Sequence, residues 1–532
     1  MNERDKYRLG RRDFLVGMTA CGAAAMATEW VPGELLAQAS QAPETKAIAE
    51  VFLDLNRIHK WDMSNGDTWD PFWADDGNLY AFNCDGRGFG AKGMNLAFNR
   101  LAGAQPSSLV GTQVNQMDDY GKGGQKEADN ATWKACGQEC IDNVFYAFVS
   151  RNTYGSDSKD PLLRQLAVNS SLIKSTDRGL TWTRSARQNY DHPMWPGSSF
   201  GAPFFIHYGQ NGGQVSRDGA SEYAYAVSTN GFWNNGDSLI LGRVKRSNLS
   251  NLNSKDWEYC AGADGSVAAN WSTAIKDAAP VLQRPAKCGQ TPVCYVPDLG
   301  IYLLISWYVA GKMTKWFEPN EVRYDFYQAD HPWGPWRPVS SFSDRFLGPK
   351  YHMYGPSLCA RFQQRKGTDV EISLFTAGCP FDDVPSTPYK LWHIPVLLRT
   401  TPLPRSTSVA ASDGRIRYHG AWFPLTTVQI ADQDADVDKL PWATQTPGSA
   451  AELSFEGTGI DYLAQKSKGL GSVEIYLDGV KQENASLDLQ DFPVLFGVVV
   501  FSQQGLQPGK HSIKLVSAGD ARVSLEAFRV YA

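Results

Sequence analysis

Asp67 and Asp85 each stand in a glycine-containing turn, and one compact strand signal, Gly77 to Phe82, separates them. A hairpin across that signal returns both side chains to one end of a small sheet, since the two ends of a hairpin lie side by side. Two carboxylates at one mouth have a defined chemistry: one protonates a leaving oxygen while the other activates water or attacks the anomeric carbon of a sugar. The same Asp-Gly and Gly-Asp pairs are also ordinary turn formers whose side chains cap their own backbone. The bland alternative for both residues is therefore a structural turn.

Residues around this pair extend the same chemistry. Trp69, Phe72, Trp73 and Tyr80 offer flat apolar faces on which a sugar ring can lie, Trp69 and Trp73 first among them. Glu321, just before a strand, is a third candidate carboxylate for the catalytic set, while Asp142 is a candidate for orienting substrate and Asp118 and Asp119 are weaker ones. His192, Arg323, His352 and Tyr354 are the types that would bind a uronate and remove the proton beside its carboxylate. The acidic turn Asp75-Asp76-Gly77 offers oxygen ligands for a structural Ca²⁺, although no EF-hand spacing accompanies it. No nucleotide cofactor is expected, because neither a GxGxxG ahead of a helix nor a phosphate-loop lysine occurs.

The elements that must position these residues read as strands. Charged residues are 20%, aromatics 12% and glycines 49 of 532, a balance that suits an all-β chain with many tight turns. From about residue 45 to 400, short β-rich runs alternate with Gly, Asp, Asn and Pro. Val293 to Val296, the turn Pro297 to Gly300 and Ile301 to Trp307 make the plainest hairpin. Repeated hairpins predict a β-propeller, with five blades as the first choice and six or seven also compatible. Ser175 to Trp182 fits the Asp-box pattern S-x-D-x-G-x-x-W, in which Asp177 binds backbone amides and Trp182 tucks between blades.

A Pro/Ser/Thr-rich stretch, 401–413, reads as a linker. Beyond it, 414–532 shows strongly alternating strands typical of a β-sandwich (jelly-roll) domain, a carbohydrate-binding-like module. At the other end, residues 1–39 read as a twin-arginine signal peptide: Arg11-Arg12, a short apolar run to Ala27, then Ala37-Gln38-Ala39. The apolar run is too short for a transmembrane segment, and the mature chain is expected to be periplasmic or secreted. Lipoprotein processing at Cys21 is the weaker alternative.

Nine cysteines include Cys21, which leaves eight in the mature chain; that even number permits disulfides, with Cys136/Cys140 and Cys288/Cys294 the nearest pairs. Export after cytoplasmic folding means that any such bonds do not make the protein fold, and buried thiols are the alternative. The formal net charge of −5, with no basic run after the leader, argues against a nucleic-acid partner.

The propeller region resembles a group of exported five-bladed propellers, once listed as a domain of unknown function, that includes endo-D-arabinanase glycoside hydrolases. The resemblance is carried by Gly66-Asp-Thr, Phe82-Asn-Cys-Asp-Gly, Gly201-Ala-Pro-Phe-Phe-Ile-His-Tyr-Gly209, Tyr225 to Gly231, Leu299 to Ile305, Pro332-Trp-Gly-Pro-Trp336 and Tyr354-Gly-Pro-Ser357, in that order. It implies that Asp67 and Asp85 match the catalytic acids in the first blade. The family phrase at the second acid is closer to Phe-Gly-Asp-Thr than to what stands here. The leading expectation is a glycoside hydrolase acting on a polysaccharide or oligosaccharide. The alternatives are a polysaccharide lyase using His352 or His192 with Tyr354 and Arg323, and a glycan-binding protein without activity. The sequence leaves the oligomeric state open.

Overall fold

The computed structural model describes residues 47–532 apart from 154–164, 215, 217, 219–221, 264–267, 316–317, 349–350, 380–388, 427–439 and 490–493. The expected leader, 1–39, and Cys21 within it lie outside the described residues. The chain is all-β: among the described residues the only α-helices are Ala186–Asp191 and Arg246–Leu249.

Five blades follow one another. Blade 1 is Asn65–Asp67, Leu79–Gly88, Met94–Ala102 and Val110–Asn115. Blade 2 is Thr132–Ile141, Val144–Thr153 and Leu166–Ser175. Blade 3 runs outward from Pro203–His207 through Tyr223–Thr229 and Gly236–Lys245 to Trp257–Ala263. Blade 4 does so from Val293–Val296 through Ile301–Lys315 and Glu318–Ala329 to Arg337–Ser343. Blade 5 is His352–Lys366, Asp369–Cys379 and Leu391–Arg399, and its outer strand is Glu50–Leu53, from the start of the described chain. That antiparallel pairing, Glu50 with Arg399 through Leu53 with Val396, closes the ring with hydrogen bonds rather than side-chain packing alone. The first and last expected blades are thus tied by a long-range contact.

The innermost strands differ from the rest. Thr132–Ile141, Pro203–His207 and Val293–Val296 are buried at every position, so the usual alternation of apolar and wet residues fails there. Polar side chains on these strands have no water to turn to and must satisfy one another across the channel. That requirement builds the site described below.

The Asp-box forms as its pattern predicts. Asp177 Oδ1 accepts from the Thr181 amide at 2.9 Å, and Trp182 packs 5.1 Å from both Phe82 and Phe98 of blade 1. All eight described cysteines are free and buried, so the disulfides the even count permits are not formed; each thiol is a small apolar filler of a blade core.

The stretch expected as a linker is a linker only in part. Ser406–Ala410 pairs antiparallel with Ala527–Tyr531 and belongs to the C-terminal sandwich. Its Thr-Ser-Val run buries Val409 and exposes the hydroxyls before it, an edge-strand pattern masked by the flanking prolines. The sandwich packs Leu453, Ile460, Tyr462, Ile475, Ile513, Leu525 and Phe528 in one core. It rests directly on the propeller: Leu495 and Val498 share an apolar cluster with Leu347 and Val396, and Lys466 Nζ donates to Asn56 Oδ1 at 3.2 Å.

Candidate active site

Asp67 ends the innermost strand of blade 1, and its flanking backbone is unusual. Gly66 has φ +123°, and a Cβ there would lie 2.6 Å from Asn83 Nδ2 and 2.7 Å from the Cys84 carbonyl, so only glycine fits. Thr68 and Asp85 occupy the left-handed region at φ 55° and 47°. A β-branched residue in that region is strained, and such strain persists only where surrounding contacts over-determine it. Here those contacts converge on the Asp67 carboxylate.

The Tyr354 hydroxyl donates to Asp67 Oδ2 at 2.6 Å, and the Thr68 hydroxyl donates to Oδ1 at 2.9 Å. The Tyr389 hydroxyl lies 3.2 Å from Asp67 Oδ2 and 2.9 Å from the Asp85 carbonyl oxygen. Between the two carboxylates stands Lys134, on the innermost strand of blade 2: its Nζ is 3.9 Å from Asp67 Oδ1 and forms a close ion pair with Asp85 Oδ2. Two oxygens sharing that nitrogen lie within about 6 Å of each other, so both carboxylates stand close enough to meet one bound group. The Asp67 side chain is 7% exposed and that of Asp85 22%. Burial raises the Asp67 pKa above the ordinary carboxylate range; Lys134 opposes the shift and the charge of Asp85 reinforces it.

A second polar tier lies further along the same inner strands. Asp70 Oδ1 accepts from Ser357 Oγ at 2.6 Å and faces His207 Nε2 at 3.1 Å, while Oδ2 accepts from the Gln138 amide at 3.0 Å. His207 Nδ1 faces Glu139 Oε2 at 2.9 Å. With a carboxylate oxygen at each ring nitrogen, both nitrogens serve as donors and the ring is an imidazolium. Burial pulls the His207 pKa down, but the charges and hydrogen bonds of Asp70 and Glu139 override it and push the value up to about 10.

The residues singled out in the sequence fall into three groups. Asp67, Asp85 and Tyr354 come together. Arg323 and Glu321 lie apart in blade 4, where Arg323 Nη1 donates to Glu321 Oε1 at 2.9 Å and Arg345 stands 3.7 Å from the other Glu321 oxygen. Glu321 thus pairs with arginines instead of joining the Asp67 set. The third group is structural. Trp69 is 1% exposed, with its indole N–H on the Gly66 carbonyl at 2.9 Å, so its faces are core surface and not a sugar platform. Phe72 and Tyr80 are likewise core rings of blade 1, and Trp73 packs half-buried against the cluster that holds Trp69. Asp142 sits at the far end of its strand from Lys134 and pairs with Arg246 at 2.7 Å. His192 is the exposed cap of the helix Ala186–Asp191, and His352 is buried with Nδ1 2.9 Å from Asp344 Oδ2. His352 is held by Asp344 and His192 caps a helix, and these described contacts do not form the set a lyase would use. In the Asp75-Asp76 turn the carboxylates already face Arg178, at 2.6 and 3.5 Å.

Lys134, Tyr389, Asp70, Glu139 and His207 are the residues that sequence reasoning missed. Lys134 and Glu139 had a usable signal: charges inside an otherwise buried-type strand, Thr132–Ile141, demand partners. His207 stands in the phrase Gly201 to Gly209 that carries part of the family resemblance.

No family model matches the chain. A curated relative, the A type blood α-D-galactosamine galactosaminidase of Flavonifractor plautii, is 33% identical over 108 residues, which is 20% of this chain; the match spans only 9% of that protein's length. Among solved structures, the exo-β-1,3-galactanase of Phanerochaete chrysosporium aligns with 92% of this chain and 100% of its own at 12% identity and a TM-score of 0.38. A glycoside hydrolase family 43 arabinoxylan arabinofuranohydrolase of Bacillus subtilis aligns with 89% of this chain and 97% of its own at 11% identity and a TM-score of 0.32.

Proposed function

We propose that this chain is a glycoside hydrolase whose reaction is carried out by Asp67 and Asp85 at the mouth of the propeller channel. The observation that carries the reading is the pair itself: two carboxylates bridged by the single ammonium of Lys134, one nearly sealed and the other partly exposed. Asp67, whose pKa burial raises, is the general acid that protonates the leaving oxygen. Asp85, the more exposed, acts on the anomeric carbon directly or through water. Lys134 orients Asp85, and the Tyr354 and Tyr389 hydroxyls fix Asp67.

The polysaccharide class and the mode of cleavage belong to the same proposal. The galactosaminidase likeness and the first-blade placement of the acids support a glycan substrate. Export through the twin-arginine route is proposed from Gly10 to Leu15 and Ala37 to Ala39, and a chain of free thiols agrees with folding in the cytoplasm before export.

The test is reducing-sugar release from a polysaccharide panel by the wild type, Asp67→Asn and Asp85→Asn. Each variant is expected to lose about 100-fold or more in kcat while keeping its near-ultraviolet circular dichroism. Turnover equal to the wild type in both variants removes the assignment.

A further inference from the structure

Apart from the carboxylate pair, a cleft of about 1020 Å³ opens between blades 3 and 4, lined by Arg284, Lys287, Tyr308, Arg323, Asp325 and Tyr327 among others. It stands at the same end of the propeller. Val293 pairs with Leu304, so residues 305–310 run past the start of their inner strand, and Lys134 and Tyr354 likewise lie near the starts of theirs. Trp307, whose ring lies 5.7 Å from the Tyr354 ring, and Tyr308 after it face opposite sides of their strand, and Ser306 Oγ donates to the Lys287 carbonyl at 2.9 Å.

The charge of this cleft runs against that of the chain. Three cations and one carboxylate line it, on a protein of formal net charge −5, although Arg323 already meets Glu321 at 2.9 Å. Asp325 accepts from Ser341 Oγ at 2.5 Å and pairs loosely with Arg284, whose Nη2 stands 4.0 Å away. Lys287 Nζ meets a ring instead, 5.6 Å from the Tyr308 centroid, and the Arg284 guanidinium lies 5.7 Å from that of Tyr327. Cations held over aromatic faces keep donors available to an anion, and the adjoining rings can border a pyranose or furanose.

We propose that this cleft is a subsite for a negatively charged sugar of the bound chain, in which Arg284 and Lys287 bind the carboxylate of a uronate or the sulfate of a sugar ester. The catalytic part rests on the hydrolase reading above; the binding part does not. An arginine fork matches either anion through paired hydrogen bonds. A neutral sugar would displace water from the two cations and give nothing back, so the cleft also discriminates against neutral chains.

Titration calorimetry on the full chain tests this with uronate-containing and sulfated oligosaccharides, each beside its carboxyl-reduced or desulfated partner. At least one charged ligand is expected to bind about tenfold or more tightly than its neutral partner, with an advantage that shrinks in high salt. Which of the two series shows it identifies the anion. Arg284→Gln/Lys287→Gln should erase the advantage, and on a cleaved acidic substrate should raise KM with kcat little changed. Equal binding of charged and neutral partners throughout, or an advantage that survives in the double variant, overturns the proposal. Charged ligands that bind through these residues and yield no product would instead count against the hydrolase reading alone.

Discussion

The two polar tiers of the channel are built on the same inner strands, yet they are finished in opposite ways. In the deeper tier Asp70, Glu139 and His207 are each at most 5% exposed, and the ring nitrogens and carboxylate oxygens saturate one another across blades 1, 2 and 3, with Ser357 adding blade 5. In the outer tier one ammonium serves two carboxylates, burial raises the pKa of Asp67, and Asp85 is partly exposed. A closed set of partners has no capacity left for a substrate and acts as a pin. A set with one carboxylate partly exposed leaves room for a reacting group, at some cost to the fold.

The sharpest way to break this comparison is to unpin the deeper tier. His207→Ala leaves Asp70 and Glu139 buried without their cation, and a loss of about 3–5 kcal/mol is expected in urea unfolding. A variant as stable as the wild type would show that the tier is not a pin. The wild type carries its own control. Because the folded-state pKa of His207 is raised to about 10, its contribution is complete below about pH 6.5, the value of a free imidazole. That contribution is lost as pH rises towards 10. Melting temperature across this window should fall in the wild type, and the part of the fall due to His207 should be missing in the variant.

The outer tier should respond in the reverse sense. Asp67→Asn, expected to remove about 100-fold or more of the turnover, copies the protonated form that burial already favours. A group whose folded pKa is raised costs stability once pH passes above its ordinary range. The variant should therefore be at least as stable as the wild type at neutral pH, by calorimetry at matched pH. A large loss of stability would place Asp67 with the pinning residues.

Much of this architecture could be read in the chain. The hairpin from Val293 to Trp307 and the Asp-box are local, and local residues specify them, whereas Asp67 and Asp85, expected in turns, stand in the paired strands Asn65–Asp67 and Leu79–Gly88. The partners of those aspartates are not local. Lys134 arrives from blade 2, and Tyr354 and Tyr389 from blade 5, brought round only when Glu50–Leu53 closes the ring. Residue type misled where one type serves two ends: Trp69 has the flat face a sugar platform needs, and the same face packs a blade core. His352 is similar, since its place among aromatic residues does not disclose Asp344 as its partner.

A smaller effect sharpens the outer tier. Tyr354→Phe removes one hydrogen bond to the Asp67 carboxylate and leaves the ring packing against Trp307 in place. The expected loss is about 1 kcal/mol in transition-state stabilisation, close to a fivefold fall in kcat/KM. That bond favours the ionised form, so its removal should also move the alkaline limb of the pH–rate profile upward. A purely structural tyrosine would lower activity without moving the limb.

The smallest effect belongs to a carboxylate that belongs to neither tier. Asp142 pairs with Arg246 in the turn after Thr132–Ile141, with 65% of its side chain exposed, at the other end of that strand from Lys134. An ion pair so open to water and salt contributes little, because solvation of the separated charges nearly matches their attraction. Asp142→Ala should change unfolding free energy by no more than about 0.5 kcal/mol and leave kcat and KM at wild-type values. A fall in kcat from this change would mean that the opposite face of the propeller communicates with Asp67, and the separation between a sealed pin and an open site would have to be redrawn to include it.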